Sequence, residues 1–69
     1  MQYRDRIDAI ETRAARIHLT LWRLCRDAGV DYSTLHRWKS DETSPNVATL
    51  ERVLGQLERA LDDLEDELR

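Results

Sequence analysis

Sixty-nine residues amount to one small domain, because a chain of about 60 residues buries only about 60% of its unfolded surface and leaves little room for an enclosed substrate pocket. Apolar residues make up 41% and charged residues 36%, with two Gly, one Pro and no Phe, so periodic apolar positions with few turn formers favour an all-α fold. The net charge of −3 argues weakly against a nucleic-acid partner, yet it hides an asymmetry. Residues 1–40 carry eight basic and five acidic side chains, whereas residues 41–69 carry three basic and nine acidic ones. An anion-binding surface therefore belongs to the first two thirds of the chain.

The lone Cys25 has no partner for an internal disulfide. No apolar run approaches the roughly 18 residues of a membrane span or has the pattern of a secretory leader, so the expected compartment is the reducing cytoplasm.

In the first segment Tyr3, Ile7, Ile10, Ala14, Ile17 and Leu21 recur three or four residues apart, which predicts a helix over residues 4–17 with one apolar stripe. Leu19 and Thr20 then read as a fresh start. Thr20 is the N-cap, and Leu19 with Leu24 forms a hydrophobic staple for a second helix that ends at Gly29. Val30, Asp31 and Leu35 repeat that grammar, with Asp31 as cap of a third helix from Tyr32 to Lys39. Residues 40–45 are polar and turn-forming. The fourth helix begins either at Asn46 as cap or at Ser44 as cap with Pro45 in the first turn.

From Val47 the apolar residues Leu50, Leu54, Leu57, Leu61, Leu64 and Leu68 keep a three-four spacing, the pattern of a coiled-coil seam. A rod over residues 47–69 would be about 35 Å long at 1.5 Å per residue. Its end is expected to project, leaving Leu57, Leu61, Leu64 and Leu68 to meet a second copy of the chain. The division expected is a domain over residues 1–57 and an acidic helical extension over residues 58–69. Arg4, Arg6, Arg13 and Arg16 on the first helix are the expected partners of the acid cluster Asp62, Asp63, Glu65, Asp66 and Glu67, within the chain or across a dimer.

Two short helices joined at Ala28-Gly29-Val30-Asp31 have the dimensions of a helix-turn-helix. Gly29 tolerates a positive φ at the turn, and Cys25 is small where the helices approach. The run L-T-x-x-x-L-C-x-x-A-G-V-D-x-S-T-L-x-x-W from Leu19 to Trp38, followed by S-P-x-x-x-T-L from Ser44 to Leu50, resembles the Cro and lambda repressor family of Xre-like helix-turn-helix regulators. The likeness spans residues 19–57.

This resemblance implies a five-helix domain of bacterial or phage type whose third helix lies in the major groove of double-stranded DNA, with no catalytic chemistry and no cofactor. It puts the base-reading positions at Tyr32, Ser33 and Arg37. Of these, Arg37 can bond the O6 and N7 of guanine together. Thr20, Thr34, His36, Lys39, Ser40 and Thr43 are the expected contacts to the phosphate backbone. A homodimer would present two third helices to a pseudo-palindromic operator.

Two departures from the family pattern stand out. Leu21 occupies the position where many relatives place a Gln that touches DNA. The segment Glu58-Arg59-Ala60-Leu61 also continues in helical register where relatives turn, and Gly55 softens that helix by roughly 1 kcal/mol without ending it.

Other constellations carry less. His18 and His36 have no matching Cys pair for a zinc site. Asp31, Ser33 and His36 lie on one cap and one helical turn, without an oxyanion hole. Trp22 takes an outward slot, for contact with DNA sugar or a partner, or for half-buried packing. A competing function is a helical interaction module, or an antitoxin, whose acidic C-terminal helix binds a basic protein.

Overall fold

The computed structural model describes residues 3–40 and 44–68, and the only regular elements among these are helices: α1 (Tyr3–Arg16), α2 (Leu21–Ala28), α3 (Tyr32–Lys39) and α4 (Val47–Glu67). Among the described residues there are four helices, not the five that the resemblance implied, because α4 runs without a break from Val47 to Glu67. None is long and apolar enough to cross a membrane.

Two corners of the same kind direct the chain. At the end of α1 the Leu19 N–H donates to the Ala14 carbonyl at 2.9 Å, and the His18 N–H to that of Ala15 at 3.0 Å. At the end of α2 the Val30 N–H donates to Cys25 at 2.8 Å, and the Gly29 N–H to Arg26 at 3.3 Å. Both are Schellman closures, which require a left-handed residue before an apolar one. Gly29 fills that place at φ 74° and His18 at φ 64°.

Each closure hands over directly to a cap. The Thr20 Oγ1 accepts from the Arg23 N–H at 3.1 Å, and the Asp31 Oδ1 accepts from the Ser33 N–H at 3.0 Å. Leu19 and Val30, the last residues of the two closures, pack against the core. Asn46 caps α4 by accepting from Ala48 and Thr49, which decides between the two starts in its favour.

Ile7, Ile10 and Ala14 of α1, Leu21, Leu24 and Cys25 of α2, Leu35 and Trp38 of α3, and Leu54, Leu57 and Leu61 of α4 form one buried cluster. α4 lies beside α1 in a parallel sense, as its ion pairs show. Arg6 bonds Glu51 at 2.7 Å and Glu58 at 3.2 Å, while Arg13 bonds Asp62 at 2.7 Å and also Glu65. Two of the four expected α1 arginines thus meet the acidic helix, within one chain; Arg4 and Arg16 form no ion pair among the described residues.

The expected seam for a second chain needs correction here. Leu57 and Leu61 are fully buried in the chain's own core, and Leu64 is half-buried against it. A helix of 21 residues is about 31 Å long, but α1 runs beside it as far as the Arg13 pair with Glu65. Only Leu68, at 67% exposure, stands clear.

Candidate nucleic-acid interface

α3 is anchored by two side chains one turn apart. Leu35 and Trp38 are buried, and the helix rests on α1 and α2 with no helix-to-helix contact to α4. Its opposite face carries Ser33, His36, Arg37 and Ser40, all exposed. Residues spaced three, four and seven apart share a helix face, so these four form one continuous outward strip.

Arg37 makes no ion pair among the described residues. Its guanidinium is therefore not committed to any carboxylate among the described residues. Tyr32 lies at the edge of the strip. It is half-buried against the core and stacks on His36, with ring centroids 6.0 Å apart and planes at 27°. His36 consequently lies nearer the middle of the outward face than Tyr32 does.

The expected backbone contacts divide. Ser40 is exposed and ends α3, its N–H donating to the His36 carbonyl at 3.0 Å. Thr20 accepts from Arg23, which leaves its hydroxyl hydrogen able to donate elsewhere. Thr34 is already engaged, because its hydroxyl donates to the Asp31 Oδ2 at 3.1 Å. Lys39 is engaged too. Its ammonium donates to the Glu11 Oε1 at 2.7 Å, and that hydrogen bond, more than the nearby charges of Glu11 and Asp8, raises its pKa. Thr34 and Lys39 are therefore tied to the fold rather than open to a phosphate. Thr43 lies outside the described residues.

Leu21, the first residue of α2, is buried in the core. Trp22 is 52% exposed, with the Arg26 guanidinium 5.6 Å from its ring centroid. Such an exposed cation–π pair contributes about 0.5–1 kcal/mol.

Reading the sequence alone misses Arg52. Together with Asp31, Thr34, Thr49 and Gln56 it lines an open groove of about 390 Å³ between the start of α3 and α4. It forms no ion pair among the described residues. The strongly acidic sum of residues 41–69 conceals it, and only the fold brings this cation beside α3.

The acidic face of α4 is smaller than its sequence suggests. Glu51, Glu58, Asp62 and Glu65 are held by Arg6 and Arg13. Hydrogen bonds to these carboxylates raise the pKa of both arginines. Cys25 is inert by position: burial pushes its thiol up to about 11, and the nearby Asp31 charge adds to the effect. A buried thiol kept protonated is neither nucleophile nor ligand at neutral pH. Asp31 uses one oxygen for the Ser33 N–H and the other for the Thr34 hydroxyl, so it acts as a cap. No group of three or more His, Cys, Asp or Glu side chains is gathered for a metal among the described residues.

Comparison with protein-family models, with curated proteins and with solved structures returned no match to this chain.

Proposed function

We propose that the chain is a sequence-selective double-stranded DNA-binding regulator of transcription, of the bacterial or phage type its helix-turn-helix sequence resembles, working in the cytoplasm by occupying an operator. One observation carries this reading. α3 is fixed to the core through Leu35 and Trp38, while Ser33, His36, Arg37 and Ser40 form an exposed polar strip whose guanidinium has no ion pair among the described residues. A major groove admits a helix, and Arg is the residue that most often reads guanine there.

The protein acts as a two-fold pair on a pseudo-palindromic site. With Leu57 and Leu61 committed to the core, the apolar surface left for a second copy is Leu68 with Leu64, Ile17 and Leu19, which border one shallow groove. The competing function, an acidic helix that docks on a basic protein, has Asp63 and Glu67 as its exposed acids without an ion pair in the described part of α4, since four others are paired internally.

Selection of random duplexes by the purified protein, repeated with Arg37→Ala, tests the proposal. The expected result is a palindromic motif that loses its preference at one base per half-site, with a penalty of about 1–3 kcal/mol. A motif unchanged by the substitution removes Arg37 from base reading. Absence of duplex binding even at low salt, where phosphate contacts are strongest, overturns the regulator reading and favours the protein-docking one.

A further inference from the structure

Lys39 sits at the C-terminal end of the helix assigned to the duplex, where a flexible ammonium would ordinarily reach a phosphate. It does not point there. It bonds Glu11 of α1 at 2.7 Å, with both side chains only partly exposed. It also lines a polar groove with Arg4, Asp5 and Asp8. On the helical wheel of α3, Lys39 falls between the buried Leu35 and the half-buried Tyr32, at the margin of the outward strip, with His36 as its near neighbour and Ser33 and Arg37 on the far side.

Resting on the DNA-binding reading above, we propose that Glu11 is a positioning residue that withholds Lys39 from the DNA backbone, so that the protein binds with one phosphate contact fewer per protomer than its sequence offers. The physical ground is competition for one ammonium. An ion pair of this kind contributes modestly to folding, but a cation engaged with a carboxylate releases no counterion from DNA. Each phosphate neutralised steepens the dependence of log affinity on log salt by about 0.9. A protein with few phosphate contacts keeps its nonspecific affinity low, because such contacts strengthen binding to every sequence alike. Glu11 would thereby set the affinity level without reading any base.

The test is a salt series of duplex binding with three proteins: the wild type, Asp8→Asn/Glu11→Gln, and that pair combined with Lys39→Met. Both carboxylates are changed because Asp8 also acts on the Lys39 charge and would otherwise take over the ammonium. The released variant is expected to bind several-fold more tightly at low salt, with a slope steeper than wild type by about 0.9 per bound protomer. Adding Lys39→Met should return the slope to the wild-type value. A merely structural ion pair would change melting temperature and leave the slope untouched.

If the released variant keeps the wild-type slope, Glu11 is not withholding a contact and the proposal is overturned. If the triple variant falls below the wild-type slope, Lys39 already touches phosphate in the wild type, which overturns it equally. Both outcomes require that wild type binds DNA. Failure of wild type to bind at low salt is a distinct result that removes the regulator reading itself, and this inference with it.

Discussion

Truncating Leu61 separates a core leucine from a seam leucine. The residue is fully buried in the core that the four helices share within one chain, and it is next in sequence to Asp62, which pairs with Arg13 of α1. Leu→Ala at such a site removes buried methyl and methylene groups and leaves a cavity, at a cost of about 2–5 kcal/mol. A chain of 69 residues has a total stability of about 3–10 kcal/mol at the usual figure per residue, so Leu61→Ala should leave the protein marginal. With a urea m value of about 1 kcal/mol/M for so small a domain, the midpoint should fall by about 2 M or more. Urea titration followed by circular dichroism, over about a twenty-fold range of protein concentration, reads both the size of the loss and its origin. The loss should be the same at every concentration, because the contacts are intramolecular. Leu68→Ala, at an exposed position, should stay within about 0.5 kcal/mol when the protein is dilute. A Leu61→Ala cost below about 1 kcal/mol, or one that changes with concentration as a subunit contact does, would show that this leucine is a seam residue and refute the packing argument.

Three further outcomes follow from the same geometry. His18→Gly should stabilise the fold by about 0.5 kcal/mol, because His18 holds a left-handed φ in a closure where glycine is preferred; a lower melting temperature would count against the strain argument. Gly55→Ala should raise stability by about 0.5–1 kcal/mol, since a Cβ there meets open space inside α4, and an unchanged urea midpoint would contradict it. The Cys25 thiol rises from its ordinary 9.0 to about 11 on folding, so the unfolded chain loses that proton first as pH increases. Its stabilisation is present below pH 9 and is lost up to pH 11, amounting to about 2–3 kcal/mol. Urea midpoints across that range should fall more steeply for wild type than for Cys25→Ala, and parallel curves would refute the assignment.

The grammar of local starts and stops was written plainly in the chain. Thr20, Asp31 and Asn46 cap because their short polar side chains reach back to free N–H groups, and this depends on neighbours within three residues. The left-handed place before Leu19 was not legible, because His18 has no local signature; its φ is imposed by the closure between α1 and α2. The leucine spacing of α4 fixed which face is apolar, yet it could not say what covers that face. An i, i+3, i+4 stripe serves a partner chain and a neighbouring helix equally well. The decision in favour of α1 comes from long-range facts: the parallel path of α4, and arginines at positions 6 and 13, about two helical turns apart, in register with its acids. Arg52 beside α3 was hidden for the same reason, since only tertiary structure joins residues 31 and 52.

Those long-range pairs also change what the charge asymmetry means. Read along the chain, a basic first part and an acidic last part suggest two surfaces aimed at two partners. In the fold, the acidic helix lies against the most basic face of α1, and Arg6 and Arg13 each take two of its carboxylates. Lys39 is drawn into the same lattice through Glu11. Of the cations without an ion pair among the described residues, two lie at α3: Arg37 on its outward face and Arg52 at its flank. A small protein of net charge −3 approaches a polyanion only if its remaining cations are local and its acids are occupied elsewhere, since the field at about one Debye length is set by nearby groups more than by the total. By this argument the ion pairs between α1 and α4 matter to DNA binding without touching DNA. Asp62→Lys, which reverses one partner of Arg13, should therefore loosen the α1–α4 contact and weaken duplex binding through stability, while leaving the base preference read by Arg37 unchanged. A shifted motif in that variant would place the C-terminal part of α4 in contact with the duplex and contradict the division of roles argued here.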